Sequence, residues 1–423
     1  MRNRRACQSA EHLTRRHFLE TGSLALGGLG FAGLSHPAAA SDLAGRQKQV
    51  VVFFLAGGVS QLETWDPKPG TDTGGPFLAI PTSVPGIQIC ELLPHTAQQM
   101  HHLALIRGVN TAEDDHGKGA YIMEYGHRQT PGFEYPSLGA AMASELTLPT
   151  NPLPGYIHVS GGGSASEASF LGPRFAPIGL SDGKPPANMN LPDGVGTDFD
   201  ARRRELRSKL SKRFTTGRAA GQPEAYNSGY DQTAALLARK EVFDFSKITD
   251  ADRERYGKHP FAQHCLMARQ LVESGVTYTK VTHTNYDTHS ENFNFHIEQL
   301  GEFDKPFAMF IADLAQRGLL QHTLVIVMSE FGRTPRINHL VGRDHWSKAW
   351  SVAVAGAGIK PGVAVGATNA NGTEVVERQV NGGHLFHTYY KAVGLDSSKS
   401  FWHEGRPFHK ADPKTEAINE ILA

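Results

Sequence analysis

Residues 323–346 read TLVIVMSEFGRTPRINHLVGRDHW. Thr323 to Met328 is a short, apolar, β-branched run bounded by polar residues. That pattern predicts a strand buried on both faces. The run ends in Ser329-Glu330, a turn follows at Phe331-Gly332, and Asp344, His345 and Trp346 come after a loop. In open α/β sheets, ligands collect outside the carboxyl ends of the strands. A carboxylate leaving such a strand, followed by an Asp-His pair, suits a divalent-metal site. Imidazole and carboxylate together suit zinc, iron or manganese. A purely structural alternative pairs Glu330 with Arg333 or Arg336, and Asp344 with Arg343.

The flanking sequence extends the same rhythm. Phe261 to Ser274 reads as a helix stopped by Gly275, a residue suited to helix ends. A strand is expected over Val276 to Val281, and it leads into THTNYDTH, residues 282–289. Asp287 and His289 therefore fall at the end of one strand and Glu330 at the end of the next. His283 and His296 are further histidines of the region, the latter on a helix. A helical region is expected from Asn294 to Arg317, interrupted near Pro306. Ser351 to Ala355 reads as another strand. Alternation of this kind argues an α/β fold: a doubly wound, mainly parallel sheet with helices on both faces.

The first half supplies two more strands. Val50 to Leu55 runs into Ala56-Gly57-Gly58, where glycines allow a close approach to the backbone. The segment is neither a Walker loop nor GxGxxG. Glu63 follows nearby, as a ligand or as a cap. Leu103 to Val109 leads to Asp114-Asp115-His116 and an amphipathic run, Ala120 to Tyr125. His116 is a candidate ligand or general base there, and Asp115 is either a further ligand or the cap of that helix. Residues 181–259 differ in character. They hold a Pro/Gly/Asn-rich stretch, then the arginine-rich helix Ala201 to Arg213 and a helix over Tyr226 to Arg239. They read as a helical insertion within one α/β domain spanning 41–423.

The first 40 residues read as an address. Arg15 and Arg16 precede Phe18-Leu19, Ser23 to Leu34 is a short Gly-rich apolar run, and Pro37-Ala38-Ala39-Ala40 offers a cleavage site. This order describes an export signal, and the paired arginines indicate the twin-arginine export machinery. The expected destination is periplasmic or extracellular. The apolar run is too short to span a bilayer, which takes about 20 residues. No later segment approaches that length, so no transmembrane segment is expected in the mature chain.

Composition narrows the partners. The 423 residues carry a formal net charge of +0, with 39% hydrophobic and 20% charged residues, so nothing suggests a nucleic-acid binder or a polybasic membrane surface. The arginine run at 202–213 is mixed with glutamate and reads as a solvated helix face. The 21 histidines favour a metalloprotein. Outside the address, Cys90 and Cys265 could form a bridge or stay as buried thiols.

GGVSQLETWDPKPG at 57–70, YDTHSENF at 286–293, SEFGRTPRIN at 329–338, GRDHW at 342–346 and AGAGIKPGVAVGATNANG at 355–372 resemble the domain of unknown function 1501 family. That family is similar to the alkaline phosphatase and sulfatase superfamily. The resemblance implies a large doubly wound sheet, a two-metal site for zinc or a calcium or manganese equivalent, and hydrolysis of phosphate or sulfate esters, of small molecules or carbohydrate, outside the cytoplasm. By resemblance, Asp287, His289, Glu330 and His345 are the metal ligands. His116 or Asp344 would take a proton, and Arg333 or Arg336 would steady an oxyanion. Phe331 stands where that superfamily has a histidine. The loop expected to carry a Ser, Thr or Cys nucleophile holds Asp114, Asp115 and His116 instead, with Thr111 just before them. A non-catalytic relative that binds a metal or ligand is the alternative.

Overall fold

The computed structural model describes residues 47–181, 189–216, 221–244 and 248–423. The expected export signal, with Arg15 and Arg16, lies outside the described residues.

Eight strands form the main sheet: β1 (Gln49–Leu55), β2 (Leu103–Val109), β3 (Tyr156–Val159), β4 (Ile178–Leu180), β5 (Tyr278–His283), β6 (Thr323–Met328), β7 (Trp350–Ala355) and β8 (Val363–Val365). Their order across the sheet is β8-β2-β7-β6-β1-β5-β3-β4. β1 is central and pairs in parallel with both β5 and β6, so that Phe53 lies between Val281 and Val327. The sheet is parallel except at β7, which runs antiparallel to both β6 and β2. Period 2 then sorts β1 onto two faces. Val51, Phe53 and Leu55 join one core, and Val50, Val52 and Phe54 the other.

The helices cover both faces. In chain order the longer ones are α1 (His116–Tyr125), α2 (Leu138–Leu146), α3 (Thr197–Thr215), α4 (Gly221–Ala238), α5 (Asp250–Tyr256), α6 (Pro260–Glu273), α7 (Asn292–Gln316) and α8 (Gly382–Ala392). α6 and α7 pack on the Phe53 face, where Phe53 meets Phe261, Phe307 and Phe310 edge-on at 5.1–6.1 Å. α2 and α8 pack on the other. Among the described residues, no helix is long and apolar enough to cross a membrane.

Three expectations need correction. The fifth strand spans Tyr278–His283, two residues later than the apolar run suggested. α7 continues through Pro306 without interruption, because Pro306 is buried beside Phe303 and Phe307, whose packing outweighs one lost helix bond. The last expected strand, here Trp350–Ala355, runs backwards in the sheet, since an apolar run reads alike in either direction. Cys90 and Cys265 are both free and buried.

Candidate metal centre

β1, β2, β5 and β6 share a direction, so the segments that follow them meet at one edge of the sheet. After β1 the chain turns at Gly57, with φ +114°. A Cβ on Gly57 would lie 2.5 Å from the backbone nitrogen of Asp287, so only glycine lets the loop after β5 come this close. The Gly57 N–H donates to Glu330 Oε1 at 2.9 Å, while its carbonyl accepts from Arg333. Ser329 Oγ accepts from Gly58 and Val59 N–H, both at 3.1 Å. It also lies 2.5 Å from the Leu55 carbonyl and 2.9 Å from Glu330 Oε2, and its one proton serves one of the two.

Four side chains converge outside this turn. Asp287 Oδ1 lies 3.1 Å from His289 Nε2 and 3.3 Å from His345 Nε2, and Oδ2 lies 3.4 Å from His116 Nε2. His289 and His345 face each other, Nε2 to Nε2, at 3.0 Å. The outer nitrogen of each ring points at an oxygen that can only accept. His116 Nδ1 is 2.7 Å from Glu330 Oε1, His289 Nδ1 2.9 Å from Asp344 Oδ1, and His345 Nδ1 2.6 Å from the Asp114 carbonyl. In the neutral rings this assigns the proton to Nδ1 and leaves the Nε2 lone pairs turned towards Asp287.

This donor set fits a divalent cation. Imidazole nitrogens whose other N–H meets a carboxylate or carbonyl are the usual form of metal-ligating histidine. Donors about 2.05 Å from a tetrahedral ion stand roughly 3.3 Å apart; His289 and His345 lie 3.0 Å from each other and 3.1 and 3.3 Å from Asp287 Oδ1, whereas His116 lies 3.4 Å from Oδ2. The donor atoms of His116, Asp287 and His345 all lie within 4.8 Å of one another.

Local structure explains the placement. Asp115 caps α1 by accepting from Lys118 N–H at 3.0 Å, which puts His116 at the first helical position. A two-residue ribbon pairs His345 with Arg333 and Trp346 with Gly332. Phe331 is fully buried, and its ring packs 4.9 Å from that of His116 and 4.5 Å from that of His345. The aromatic ring thus backs two imidazoles.

Residues 47–422 match the family described as "Protein of unknown function (DUF1501)". The chain belongs to the DUF1501 family. No curated protein matches it. Among solved structures it is similar to the lipoteichoic acid synthase LtaP from Listeria monocytogenes, at 7% identity and TM-score 0.39 over 89% of this chain and 80% of that one. It is similar to the alkaline phosphatase from the Antarctic bacterium TAB5, at 14% identity and TM-score 0.37 over 83% and 99%. It is also similar to the PsFucS1 sulfatase from Pseudoalteromonas sp., at 12% identity and TM-score 0.40 over 92% and 75%. Likeness at this level carries nothing about chemistry.

Several residues of this DUF1501 chain stand differently from their sequence reading. Glu330 lies behind His116 as the acceptor for its Nδ1 and not among the converging donors, while His116, read from the sequence as a ligand or general base, faces Asp287. Glu63 is outside the cluster, because it is wholly buried against Arg343, with Oε1 2.8 Å from Nη2. Burial alone would raise the Glu63 pKa, but Arg343 and His296 more than offset it and hold the carboxyl below its ordinary value. Asp115 is a cap. The structural alternative fails too, since Arg333 pairs with Asp287 at 2.5 Å and Arg343 with Glu63.

Arg333 is wholly buried. Nε donates to the Gly58 carbonyl at 2.9 Å, Nη1 to the Arg343 carbonyl at 3.1 Å, and Nη2 to Gly57 and Asp287. It clamps Asp287 to the turn after β1, and that replaces a place facing a reacting oxyanion. Partial burial opposes ionisation of Asp287, yet Arg333, His289 and His345 bring its carboxyl down to about 2. The Asp344 carboxyl is likewise held below its usual range, first by the hydrogen bond from His289. His296 is structural, with Nε2 accepting from Ser60 N–H at 3.2 Å and Nδ1 bonded to the Asn292 carbonyl at 2.8 Å.

Sequence reasoning missed Asn338, whose Nδ2 donates to the His289 carbonyl at 2.9 Å and to Asp344 Oδ1 at 3.2 Å. Asp114, read from the sequence only as part of the loop before α1, offers its carbonyl to His345 while Oδ1 accepts from Ser347 N–H at 2.8 Å. An asparagine six residues before an aspartate in one loop is too common a pattern to single out. Thr111 lines a separate cleft of about 590 Å³ with Asn110, His127 and His384, and none of the four converging residues lines it.

Proposed function

We propose that His116, Asp287, His289 and His345 hold one divalent metal ion, zinc foremost, and that the protein is an exported metal-dependent hydrolase of phosphate or sulfate esters. The observation that supports this most is the set of three imidazoles, each with Nδ1 turned to an acceptor and Nε2 turned to one carboxylate. Such an ion supplies Lewis-acid polarisation of an ester oxygen. Glu330, Asp344 and the Asp114 carbonyl orient the rings, and Arg333 holds Asp287 in place. Asp344 is half-exposed and accepts His289 and Asn338 through Oδ1, so Oδ2 is the oxygen offered to a proton. Its lowered pKa makes it a weak base. Arg336 is exposed on the same loop and meets the substrate anion. Export by the twin-arginine route, of a chain already folded as one domain over 41–423, belongs to the same proposal.

A second reading, a non-catalytic metal- or ligand-binding relative, draws on one observation. The cluster carries no hydroxyl or thiol nucleophile: Ser329 Oγ is buried in hydrogen bonds, both described cysteines are buried, and Thr111 lies in another cleft. Elemental mass spectrometry of chelator-free protein, followed by turnover of aryl phosphate and aryl sulfate, separates the two. Metal with turnover, both lost in Asp287→Ala, supports the hydrolase. Metal without turnover supports the binding protein. A folded protein that holds no metal and takes none up on titration overturns both assignments of the cluster.

A further inference from the structure

α3 presents a feature unrelated to the cluster. Phe199, Leu206 and Leu210 are 62%, 58% and 57% exposed. Their spacings of seven and four residues place them within about 40° of one another around the helix. Large apolar side chains in such a row on a soluble face are normally covered by something.

The charges around the row say by what. α3 carries seven Lys and Arg residues against three Asp and Glu. Arg202 and Arg213 are exposed on its flanks, while Arg203 and Arg204 pair with Asp200 and Lys209 with Glu205 along the helix. Arg207, by contrast, turns to α4, where it meets Asn227 at 2.8 Å, Asp231 at 3.1 Å and the Tyr230 ring at 4.5 Å. α4 therefore packs along one side of α3 and leaves the apolar row outside. A second copy of the chain would bring one basic helix against another. An anionic polymer would satisfy the arginines but give Leu206 and Leu210 nowhere to go. A lipid bilayer with acidic headgroups satisfies both, because leucine and phenylalanine enter the acyl boundary while arginine heads stay at the phosphates.

We propose that α3 is a membrane-surface anchor that lays its Phe199–Leu206–Leu210 row into anionic lipid. It would hold the protein at a bilayer without a spanning helix. This stands independently of the metal centre.

The test places an environment-sensitive fluorophore on Leu206→Cys of the full chain in a Cys7→Ser background, where the remaining thiols, Cys90 and Cys265, are buried. Glu205→Cys, on another side of the same helix, is the control. With vesicles of equal parts phosphatidylglycerol and phosphatidylcholine, emission from the probe on Leu206→Cys should rise about twofold and shift to the blue. Pure phosphatidylcholine should leave it unchanged, as should moving the probe to Glu205→Cys. The double variant Leu206→Ser/Leu210→Ser should cut vesicle flotation about tenfold with unchanged circular dichroism, since both side chains are exposed. No response to anionic vesicles, an equal response at both probe positions, unchanged flotation of the double variant, or an equal response to dextran sulfate in place of vesicles would each overturn the proposal.

Discussion

His289 and His345 meet Nε2 to Nε2 at 3.0 Å while each Nδ1 bonds an oxygen acceptor elsewhere. Two lone pairs at that separation repel unless a positive charge lies between them. A shared proton satisfies that pair alone. A metal ion would satisfy the pair and the Asp287 carboxylate beside it.

Asp344→Asn keeps the size of the side chain but removes the charge that holds His289 Nδ1. Outer partners of this kind are worth about 10–100-fold in metal affinity. Competition with a chromophoric chelator should show a loss in that range, with circular dichroism unchanged. Equal affinity in variant and parent would mean that His289 is not a ligand.

Gly57→Ala should damage fold and site together. The added Cβ would meet the backbone of Tyr286 and Asp287 at 2.5–2.9 Å, on a residue with φ +114°. Strain of about 1–3 kcal/mol is expected from the backbone conformation alone. Thermal unfolding should shift downwards, and bound metal per folded chain should fall with it.

The Glu63–Arg343 pair supports stability and stands apart from the chemistry. Both side chains are 0% exposed. Leaving one buried charge without its partner costs about 3–5 kcal/mol, so Arg343→Met should lower the denaturant midpoint by a corresponding amount. Arg343 Nη1 also donates to the Thr334 and Pro335 carbonyls, so the loop carrying Arg333 loosens as well. The folded-state pKa of Glu63 lies below its ordinary 4.5. Its contribution is therefore complete above about pH 4.5 and is lost as pH falls through the folded value.

His283 should make the protein acid-labile. Its Nε2 lies 3.0 Å from Glu302, which favours the charged ring, but burial, with His259 and His264 nearby, wins and takes the pKa down to about 3. The ring stays neutral in the folded chain while the unfolded chain takes up a proton near its ordinary 6.5. Stability is then full above pH 6.5 and declines as pH falls towards 3. His283→Gln should flatten that decline in urea titrations at successive pH values. A decline of unchanged steepness would assign the acid sensitivity to other groups.

Much of the frame was legible because burial on both faces demands continuous apolar runs. Thr323–Met328 and Leu103–Val109 have the bounds read from the sequence. Gly57-Gly58 suggested a close approach, and the approaching group is the backbone of Asp287. Partners were harder to read than positions. Which carboxylate stands behind which imidazole depends on loop paths that no local pattern encodes, and so Glu330, read as a ligand, stands behind His116 instead. Arg343 and Glu63 lie 280 residues apart, and only the folded chain brings them together. The direction of Trp350–Ala355 was illegible for a simpler reason, since buried β-branched and small residues suit either sense.

That one reversed strand has a consequence for how the protein can change. A strand parallel to its predecessor needs a crossover to the far end of the sheet, whereas the connection from Met328 to Trp350 leaves and re-enters at the same edge. Glu330, Arg333, Asp344 and His345 all ride on that single return loop. Length and sequence there can be altered by grafting without rethreading a helix. Exchanging residues 335–342 between related chains, with Arg343 kept against Glu63, is the direct way to vary what reaches the centre while β6 and β7 remain as they are.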